Sequence, residues 1–524
     1  MTRSALCILE IAALALALTL CAGPAAFGQQ AGPQPQVIQL MQHDISPALR
    51  DIPPSREAKG PREKPIFHFK PAQAGTSQAD PVKQTAVGSN VAVNTGFKFD
   101  GVGQGFTGPA GTFTVNAAPP DTNLAVGSTQ VVQWVNESFA VFNKSTGSVV
   151  LGPVAGNTLW SGFGGACQND NDGDIIAQYD KAANRWVMTQ FAFSGGPPFF
   201  QCVAVSTTSD ATGTFARYAF QFSNFPDYPK LGVWPDAYYM SFNMFSGNFF
   251  AGAEVCALQR STMLAGQPAK AVCFQLSTSF ASLLPSDLDG STAPPTGSPD
   301  FFLNFGTNSL NLWKFHVDFT TTSNSTLTGP TNIPVAAFSP ACKGGACIPQ
   351  TGTREKLDSL ADRLMYRLAY RNFGTYESLV VNHSVGSPSS IRWYEIRSPG
   401  TTPAVFQSGT FAPDSTYRWM GSIAEDKVGD MAVGYSASSS SIHPGIRYTG
   451  RVPTDAPGTM EAENTIINGT GSQLRNLNRW GDYSAMSIDP VDDCTFWYTT
   501  EYLASNGTFN WHTRIFSFTF SGCH

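Results

Sequence analysis

The sequence is short of charge. Asp, Glu, Lys and Arg together make up 13% of its 524 residues, about half of the roughly 25% that is usual in soluble proteins. The formal net charge is −6, and charges of one sign do not cluster into a long run. A nucleic-acid partner requires a basic face on the protein. The composition therefore argues against nucleic-acid binding.

Several catalytic and metal-binding motifs are also missing. The sequence contains no G-x-S-x-G, no H-E-x-x-H and no phosphate-binding loop. It has no C-x-x-C pair, and the "CKGGAC" segment (Cys342 to Cys347) has neither a second pair nor a His nearby, which argues against zinc. Beyond the first residues of the chain, no apolar stretch is long enough to span a membrane.

The N-terminal region predicts export. After Arg3, the apolar stretch "IAALALALTLCAG" is too short to cross a bilayer, and "AFG" at residues 26–28 suits signal-peptidase cleavage. We predict a signal peptide over residues 1–28 and a secreted, extracellular or periplasmic protein. Residues 29–90 are rich in Gln, Pro, Ala and Lys without sustained periodicity, which predicts a flexible or extended leader.

Eight cysteines remain once the signal peptide is removed. An even number of cysteines in an exported chain predicts disulfides, but eight of them allow 105 pairings. Pairing of nearest neighbours is the natural hypothesis if each bridge stays within one local sheet. The expected pairs are Cys167–Cys202, Cys256–Cys273, Cys342–Cys347 and Cys494–Cys523.

Glycine, proline and aromatic residues are abundant, with 49 Gly, 36 Pro, 38 Phe and 15 Tyr. This composition is typical of a turn-rich β protein. A pattern of Asp, short strand, turn and second strand also recurs. It is clearest in "PPDTNLAVGSTQVVQWVN", "DGDIIAQYDKAANRWVMTQF" and "FPDYPKLGVWPDAYYMSFN", where Asp121, Asp174 and Asp227 are spaced 53 residues apart. Weaker copies, and a clear one at Asp482, bring the total to seven units between about residues 115 and 524.

A period of about 50 to 60 residues with four short strands per unit predicts a β-propeller. We predict an all-β fold with one seven-bladed domain over residues 91–524, with six or eight blades as alternatives. A string of β-sandwich domains is the competing hypothesis, but the even spacing and the lack of linkers argue against it. The protein is expected to be a monomer.

Three segments carry a resemblance to known proteins: "PPDTNLAVG", "DYPKLGVWPDAYYMSFN" and "RWGDYSAMSIDPVDDCTFWYTTEY". With them, the chain resembles secreted bacterial propeller proteins of uncertain function, described as sialidase-like or BNR-repeat proteins. The resemblance covers most of residues 115–524 and implies the architecture. Sialidases carry S-x-D-x-G-x-x-W boxes; "DKAANRW" (Asp180 to Trp186) keeps the Asp and the Trp but lacks the Ser and the Gly.

The repeated carboxylates are the first candidates for a site. In a propeller, Asp121, Asp174, Asp227 and Asp482 would stand at the start of each innermost strand, around the central channel, and Asp289 is a fifth candidate. Carboxylates that converge on one axis repel unless they pair with a cation or share protons. Three interpretations follow: structural ties at the corners of the sheets, a metal site, or an acid–base pair.

For the metal interpretation, "NDNDGD" offers Asp170, Asp172 and Asp174 as hard oxygen ligands suited to calcium. For the acid–base interpretation, two carboxyl groups at a channel mouth would cleave a glycosidic bond, and Glu395 joins the four corner carboxylates as a candidate. Other polar and aromatic side chains would bind the sugar, because Arg clamps carboxylates and aromatic rings stack on sugar rings. These candidates are Arg363, Arg367, His383, Arg392, Trp480 and Tyr483. Strand alternation places Arg363 and Arg367 on one face.

The sequence thus predicts a glycan-binding, carbohydrate-active protein, either a glycoside hydrolase or a polysaccharide lyase. The alternative is a non-catalytic extracellular propeller that binds polysaccharide or protein.

Overall fold

The computed structural model describes residues 32–55, 60–69, 79–90 and 92–524. The second of the chain's two units, Pro33–His524, contains nearly all of the described residues. The predicted signal peptide, residues 1–28, lies outside the described residues. Among those described, no helix has the length and the apolar character that crossing a bilayer requires.

The second unit is all-β, as predicted, and is built from successive four-stranded antiparallel sheets. We number them 1 to 7 and give the strands of each from the innermost outwards. Sheet 1 contains Asn123–Val126, Gln130–Val135, Ser138–Asn143 and Val149–Ala155. Sheet 2 contains Ile176–Asp180, Arg185–Ala192, Phe199–Ser206 and Phe215–Phe222. Sheet 3 contains Phe225–Val233, Tyr238–Ser246, Phe249–Leu258 and Ala271–Gln275. Sheet 4 contains Leu284–Asp289, Asp300–Gly306, Ser309–His316 and Thr326–Pro334.

The remaining sheets follow the same plan. Sheet 5 contains Met365–Asn372, Glu377–Val385, Ser390–Arg397 and Ala404–Phe411. Sheet 6 contains Tyr417–Glu425, Met431–Ser439, Ile442–Arg451 and Asn464–Ile467. Sheet 7 contains Ala485–Ile488, Phe496–Leu503, Trp511–Phe520 and, as its outermost strand, Val93–Asp100.

Shorter elements connect or cover these sheets. The other strands are Gln36–Ile45, Arg62–Glu63, Lys83–Gln84, Thr107–Gly108, Gly111–Thr112, Ala117–Ala118, Ala346–Pro349 and Lys356–Asp358. The α-helices are Gly165–Asn169 and Arg260–Leu264, and the 3-10 helices are Leu49–Asp51, Gly156–Trp160, Thr322–Asn324 and Ala341–Gly344.

The innermost strands form a closed ring. The first strand of each sheet packs against the first strand of the next, and Ala485–Ile488 of sheet 7 packs against Asn123–Val126 of sheet 1. Between sheets 4 and 5 the contact becomes a parallel ladder in which Ser286 is paired with Leu368. The N-terminal ends of all these strands therefore lie on one face of the ring, which we call the N-terminal face.

Apolar side chains fill the space between neighbouring sheets. Trp134, Trp186, Trp313 and Trp393 are all buried. The sheets approach closely where a glycine faces a ring: a Cβ on Gly434 of sheet 6 would lie 2.5 Å from Tyr498 of sheet 7. Packing of this density explains why so many strands are apolar on both faces.

The leader is attached to the sheets in its described parts. Gln36–Ile45 is a strand that pairs with Phe215–Phe222 of sheet 2 and with Ala271–Gln275 of sheet 3. Lys83–Gln84 extends sheet 5 by pairing with Ala404–Phe411. These ladders satisfy backbone groups of the outer strands that would otherwise be free. The part of the leader that is described is thus extended chain with fixed partners rather than a flexible linker.

The predicted disulfide pairing is confirmed. The four bridges are Cys167–Cys202, Cys256–Cys273, Cys342–Cys347 and Cys494–Cys523. The second bridge joins directly paired residues of adjacent strands in sheet 3, which is the local pairing that the sequence favoured.

Candidate functional site

The N-terminal face carries a repeated backbone feature. A residue two or three positions before the innermost strand has a positive φ at Asp121 (48°), Asp174 (47°) and Asp482 (59°), and in sheet 3 Tyr228 (54°) has it within the strand. Among residues other than glycine, Asp and Asn adopt this left-handed conformation most readily. The recurrence of Asp in the sequence therefore has a conformational cause, independent of any chemistry.

Sheet 3 departs from the pattern by one residue. The left-handed position is occupied by Tyr228, and the ladder of this strand shifts register between Asp227 and Lys230. Asp227 consequently stands one residue before the position of the other aspartates and is partly exposed. The structure still brings it close enough to Asp174 for the two carboxylates to interact.

A lysine that the sequence did not single out lies at the centre of the carboxylates. Lys230 is fully buried, and its Nζ lies 3.5 Å from the centre of the Tyr228 ring and 4.0 Å from that of Tyr483. The Nζ donates a hydrogen bond to the carbonyl of Pro229 at 2.8 Å. Burial lowers the pKa of Lys230 to about 8, against the opposing effect of Asp174 and the other carboxylates.

The carboxylates differ in how well they are partnered. Asp482 accepts a hydrogen bond from Arg479, and Asp174 Oδ2 accepts one from the Tyr228 backbone N–H at 3.2 Å. Asp121 is 1% exposed, and its Oδ1 has no hydrogen-bond partner among the described residues. Burial and the neighbouring Asp482 raise the pKa of Asp121 well above its usual value. A buried oxygen without a partner is costly, so this end of the ring is not optimised for stability alone.

Asp227 titrates near neutrality. Burial raises its pKa to about 7, with a further contribution from Asp174 that outweighs Arg363. Together with the lowered pKa of Lys230, this gives two groups on one face that exchange protons close to pH 7. Groups perturbed in this way by burial and specific neighbours are characteristic of functional sites, although structural networks also produce them.

Residues 60–69 of the leader cross the N-terminal face above these groups. At one end, Lys64 Nζ forms an ion pair with Glu137 at 2.6 Å. At the other end, the ring of Phe67 packs edge-on against Phe245 with the centroids 5.2 Å apart. We call residues 60–69 the covering segment, because its contacts extend from sheet 1 to sheets 3 and 5.

Two arginines of the site are bound to main-chain oxygens of the covering segment. Arg479 donates to the carbonyl of Lys64, and Arg363 Nη2 donates to the carbonyl of Phe67 at 2.8 Å. Arg363 also packs over the ring of Tyr228 at 4.6 Å and is paired with Asp362. The segment thus supplies oxygen acceptors to guanidinium groups beside the carboxylates.

His68 anchors the covering segment electrostatically. Its Nε2 lies 2.9 Å from Asp358 Oδ2, and its Nδ1 lies 3.5 Å from Asp362 Oδ2. Hydrogen bonds to Asp358 and to Asp362 raise the pKa of His68 from 6.5 to about 9. The anchor therefore stabilises the folded protein fully below about pH 6.5, and this stabilisation disappears as the pH rises through 9.

We expect His68→Gln to lower the melting temperature at pH 6 and to leave it unchanged at pH 9.5. The side chain of His68 is 36% exposed, so the loss is limited to about 1 kcal/mol or less. Thermal melts from pH 6 to 9.5 check this, with the exposed His316→Gln as control. A destabilisation of equal size at both pH values would contradict an electrostatic anchor.

The remaining predicted residues lie elsewhere. Arg367 is on the ring axis, where it pairs with Asp287 at 2.8 Å and with Asp289. Arg363 and Arg367 do not point together, because Arg363 precedes the strand that begins at Met365. Asp289 ends its innermost strand instead of starting it, so it is not a fifth corner residue.

Four more candidates are occupied within or between sheets. Glu395 accepts hydrogen bonds from Arg397 and Gln407, and Arg392 pairs with Asp80 at 2.7 Å. His383 Nε2 lies 3.0 Å from the Tyr394 hydroxyl, and burial lowers the pKa of His383 well below 6.5. Trp480 is fully buried and donates to Ser436 at 3.0 Å. Tyr483 alone of the predicted aromatic pair reaches the carboxylates.

The predicted calcium ligands are not brought together. Asp172 accepts the Phe193 backbone N–H at 2.9 Å, and Asp170 accepts the Ser194 hydroxyl at 2.8 Å. Among the described residues, three potential ligand atoms lie within 4.8 Å of one another only at Glu254, Cys256 and Cys273, whose cysteines form a disulfide. Calcium at Asp170, Asp172 and Asp174 stays a prediction that the geometry does not favour.

The opposite face of the ring has an open cavity of about 370 Å³. Lys181, Trp234, Arg260 and Val491 contribute to its lining. Its charged groups are paired: Arg260 forms two hydrogen bonds with Asp180, at 2.6 and 3.0 Å. The cavity is therefore mostly apolar in character, and its ionic groups are already satisfied.

Comparison with known proteins gives no family. No family model matches the chain, and no curated protein matches it. Among solved structures, it is similar to the WD40 domain of SCAP from fission yeast, with 10% identity, a TM-score of 0.35, and coverage of 84% of this chain and 96% of that one. It is similar to an exo-β-1,3-galactanase from Clostridium thermocellum, with 9% identity, a TM-score of 0.31, and coverage of 77% of this chain and 91% of the galactanase. It is also similar to a GH43 endo-arabinanase from Bacillus licheniformis, with 11% identity, a TM-score of 0.27, and coverage of 69% of this chain and 99% of the arabinanase. At these scores the similarity assigns neither a fold nor an activity.

Proposed function

We propose that the seven sheets are the blades of one seven-bladed β-propeller in a secreted protein. The closed ring of innermost strands supports the blade count, and sheet 7 is completed by a strand from the other end of the folded unit. Four disulfides suit an oxidising compartment outside the cytoplasm.

We further propose that this propeller is a carbohydrate-active enzyme, a glycoside hydrolase or a polysaccharide lyase, with its centre on the N-terminal face. The observation that carries the proposal is the group of Asp121, Asp174, Asp227 and Lys230, in which the pKa of Asp227 is near 7 and that of Lys230 near 8. General acid–base catalysis works best when the pKa lies near the operating pH.

The residues divide the chemistry between them. Asp227 in its protonated form would deliver a proton to the glycosidic oxygen. Asp174 is held by the Tyr228 N–H and would act as the base or the nucleophile. Lys230 lies among the carboxylates and would stabilise their negative charge before the transfer. In a lyase, neutral Lys230 would remove the proton next to a uronate carboxylate.

Arg363 and Arg479 indicate the class of substrate. Both guanidinium groups donate to carbonyl oxygens of the covering segment. A carboxylate oxygen of an acidic sugar would replace these carbonyls, and Arg binds such a group with two parallel hydrogen bonds. We therefore propose an acidic polysaccharide as substrate, and that the covering segment must move before the substrate binds.

Activity after displacement of the covering segment tests the proposal. Phe67→Asp puts a charge among Phe69, Phe245 and Phe250 and should release the segment. We expect the variant to release products from uronate-containing polysaccharides at least tenfold faster than the wild type. Phe406→Asp, at a phenylalanine that is 54% exposed on sheet 5, is the matched control. If the released variant yields no product from neutral or acidic polysaccharides, the enzyme proposal fails.

The second candidate function is a non-catalytic propeller that binds a polysaccharide or a protein. The covering segment favours it, because its carbonyls occupy Arg363 and Arg479, the groups that would hold an acidic substrate. In that case the cavity of about 370 Å³ on the opposite face is the better binding site. Binding of a polysaccharide that survives Phe67→Asp without any product would support this function.

A further inference from the structure

A second group of carboxylates lies at one edge of sheet 6, away from the proposed active site. Asp426 and Asp430 occupy the turn between the first two strands, and the carboxylate of Asp430 contacts that of Asp426. Asp455 and Glu461 lie in the loop between the last two strands, and their carboxylates are also in contact. The two pairs are adjacent, because Asp430 is electrostatically coupled to Asp455.

The inner pair is buried and incompletely bonded. Asp426 is 0% and Asp430 is 2% exposed. Asp426 Oδ1 accepts backbone N–H groups of Val428 and Asp430, both at 3.0 Å. Asp426 Oδ2 and Asp430 Oδ2 have no partner among the described residues. Two buried carboxylate oxygens that face each other without a donor require a proton or a cation between them.

The corresponding turn of sheet 7 shows how such a pair is normally satisfied. There, Asp489 and Asp493 have the same spacing of four residues. Lys144 Nζ lies 2.8 Å from Asp489 Oδ1, and Arg371 forms two hydrogen bonds with Asp493 at 2.8 and 2.7 Å. In the described part of the chain, no Lys or Arg forms an ion pair with Asp426 or Asp430. Asp426 and Asp430 thus lack the direct ion pairs of sheet 7, although Arg371 acts on Asp426 at longer range and Arg451 lies beside Asp455, to whose carbonyl it donates at 3.1 Å.

We propose that Asp426 and Asp430 bind a calcium ion at the edge of sheet 6, with water completing the coordination. Calcium prefers carboxylate oxygens and tolerates irregular geometry with several water ligands. With two direct carboxylates, the affinity belongs to the weak range of extracellular calcium modules, Kd about 0.1–1 mM.

Terbium luminescence tests the site, because Tb³⁺ replaces calcium and is sensitised by a nearby tyrosine. The Tyr376 hydroxyl lies 4.0 Å from where a Cβ on Gly429 would be, within the Asp426–Asp430 turn. We expect a saturable signal from the EDTA-treated full-length protein that CaCl₂ displaces. Asp430→Asn should lose this signal, and Asp493→Asn, the equivalent change in sheet 7, should keep it.

Thermal melts provide a second readout. In EDTA, Asp430→Asn should melt at or above the wild-type temperature, because it removes a repulsion. Addition of 5 mM CaCl₂ should raise the melting temperature of the wild type by about 1–2 °C and leave that of Asp430→Asn unchanged. The proposal is overturned if Tb³⁺ binds Asp430→Asn as tightly as wild type, or if no saturable signal appears up to about 10 mM CaCl₂ or TbCl₃.

Discussion

Asp227→Asn in the Phe67→Asp background is expected to reduce the rate of polysaccharide cleavage by about 10²–10⁴-fold, because the proposed general acid is removed. Asn occupies nearly the same volume and cannot deliver a proton. The substitution also removes a carboxylate whose charge burial and Asp174 disfavour, so we expect only a minor folding defect. Initial rates and the melting temperature of the variant, measured together, separate a catalytic effect from a structural one.

The pH profile adds a check on the same residue. With the pKa of Asp227 near 7, the acid form is present below pH 7, so the rate should fall as the pH rises above that value. Asp51→Asn changes an exposed aspartate in the leader, next to Arg50, which bonds Thr212 outside the ring of innermost strands, and should keep both the rate and the profile. An Asp227→Asn variant with an unaltered profile would remove Asp227 from the mechanism.

The largest effect on stability is expected from Arg367→Met. Arg367 is 2% exposed, pairs with Asp287 and Asp289, and donates to the carbonyl of Met486 at 3.0 Å. Removing it leaves two carboxylates on the ring axis without their main partner. Breaking a buried ion pair in this way costs about 3–5 kcal/mol of the free energy of unfolding. Urea denaturation of both proteins at pH 7 measures the loss.

Acid should reduce the difference between the two proteins. Burial alone would raise the pKa of Asp289, but Arg367 and Lys181 outweigh it and lower the pKa from 3.8 to about 2. The ion pair therefore stabilises the fold fully above about pH 4, and this contribution is lost as the pH falls to 2. Arg185→Met, at a partly buried arginine that bonds only local carbonyls, is the control. If Arg367→Met lowered the free energy of unfolding by less than about 1 kcal/mol, Asp287 and Asp289 would not depend on Arg367 for their stability.

The features that could be predicted from the sequence are those with short-range causes. Cys256 and Cys273 pair because they face each other on adjacent strands, and the even spacing of Asp121 and Asp174 reflects one backbone conformation repeated at each corner. Conformational preference and local pairing operate within one unit of the repeat. One unit of sequence therefore contains enough information to predict them.

The features that could not be predicted depend on contacts between distant parts of the chain. Lys230 joins the site because a register shift turns it towards Tyr483, more than 250 residues away in sequence. The arginines of sheet 5 looked like ligand-binding groups, yet Arg392 pairs with Asp80 of the leader. The sequence shows that a polar side chain in a buried strand must have a hydrogen-bonding or ionic partner. Which residue is that partner can be read only from the folded structure.

The outermost strand of sheet 7 has a consequence for how the molecule folds. Val93–Asp100 pairs with Trp511–Phe520, so the ring closes by joining segments more than 400 residues apart. During synthesis, the first of these segments emerges long before its partner and must wait unpaired, exposing a strand edge to other chains. Loop closure over such a distance also makes this step slow. The six other sheets can form in order as the chain lengthens. Sheet 7 is completed last, and the pairing of Val93–Asp100 with Trp511–Phe520 then closes the ring.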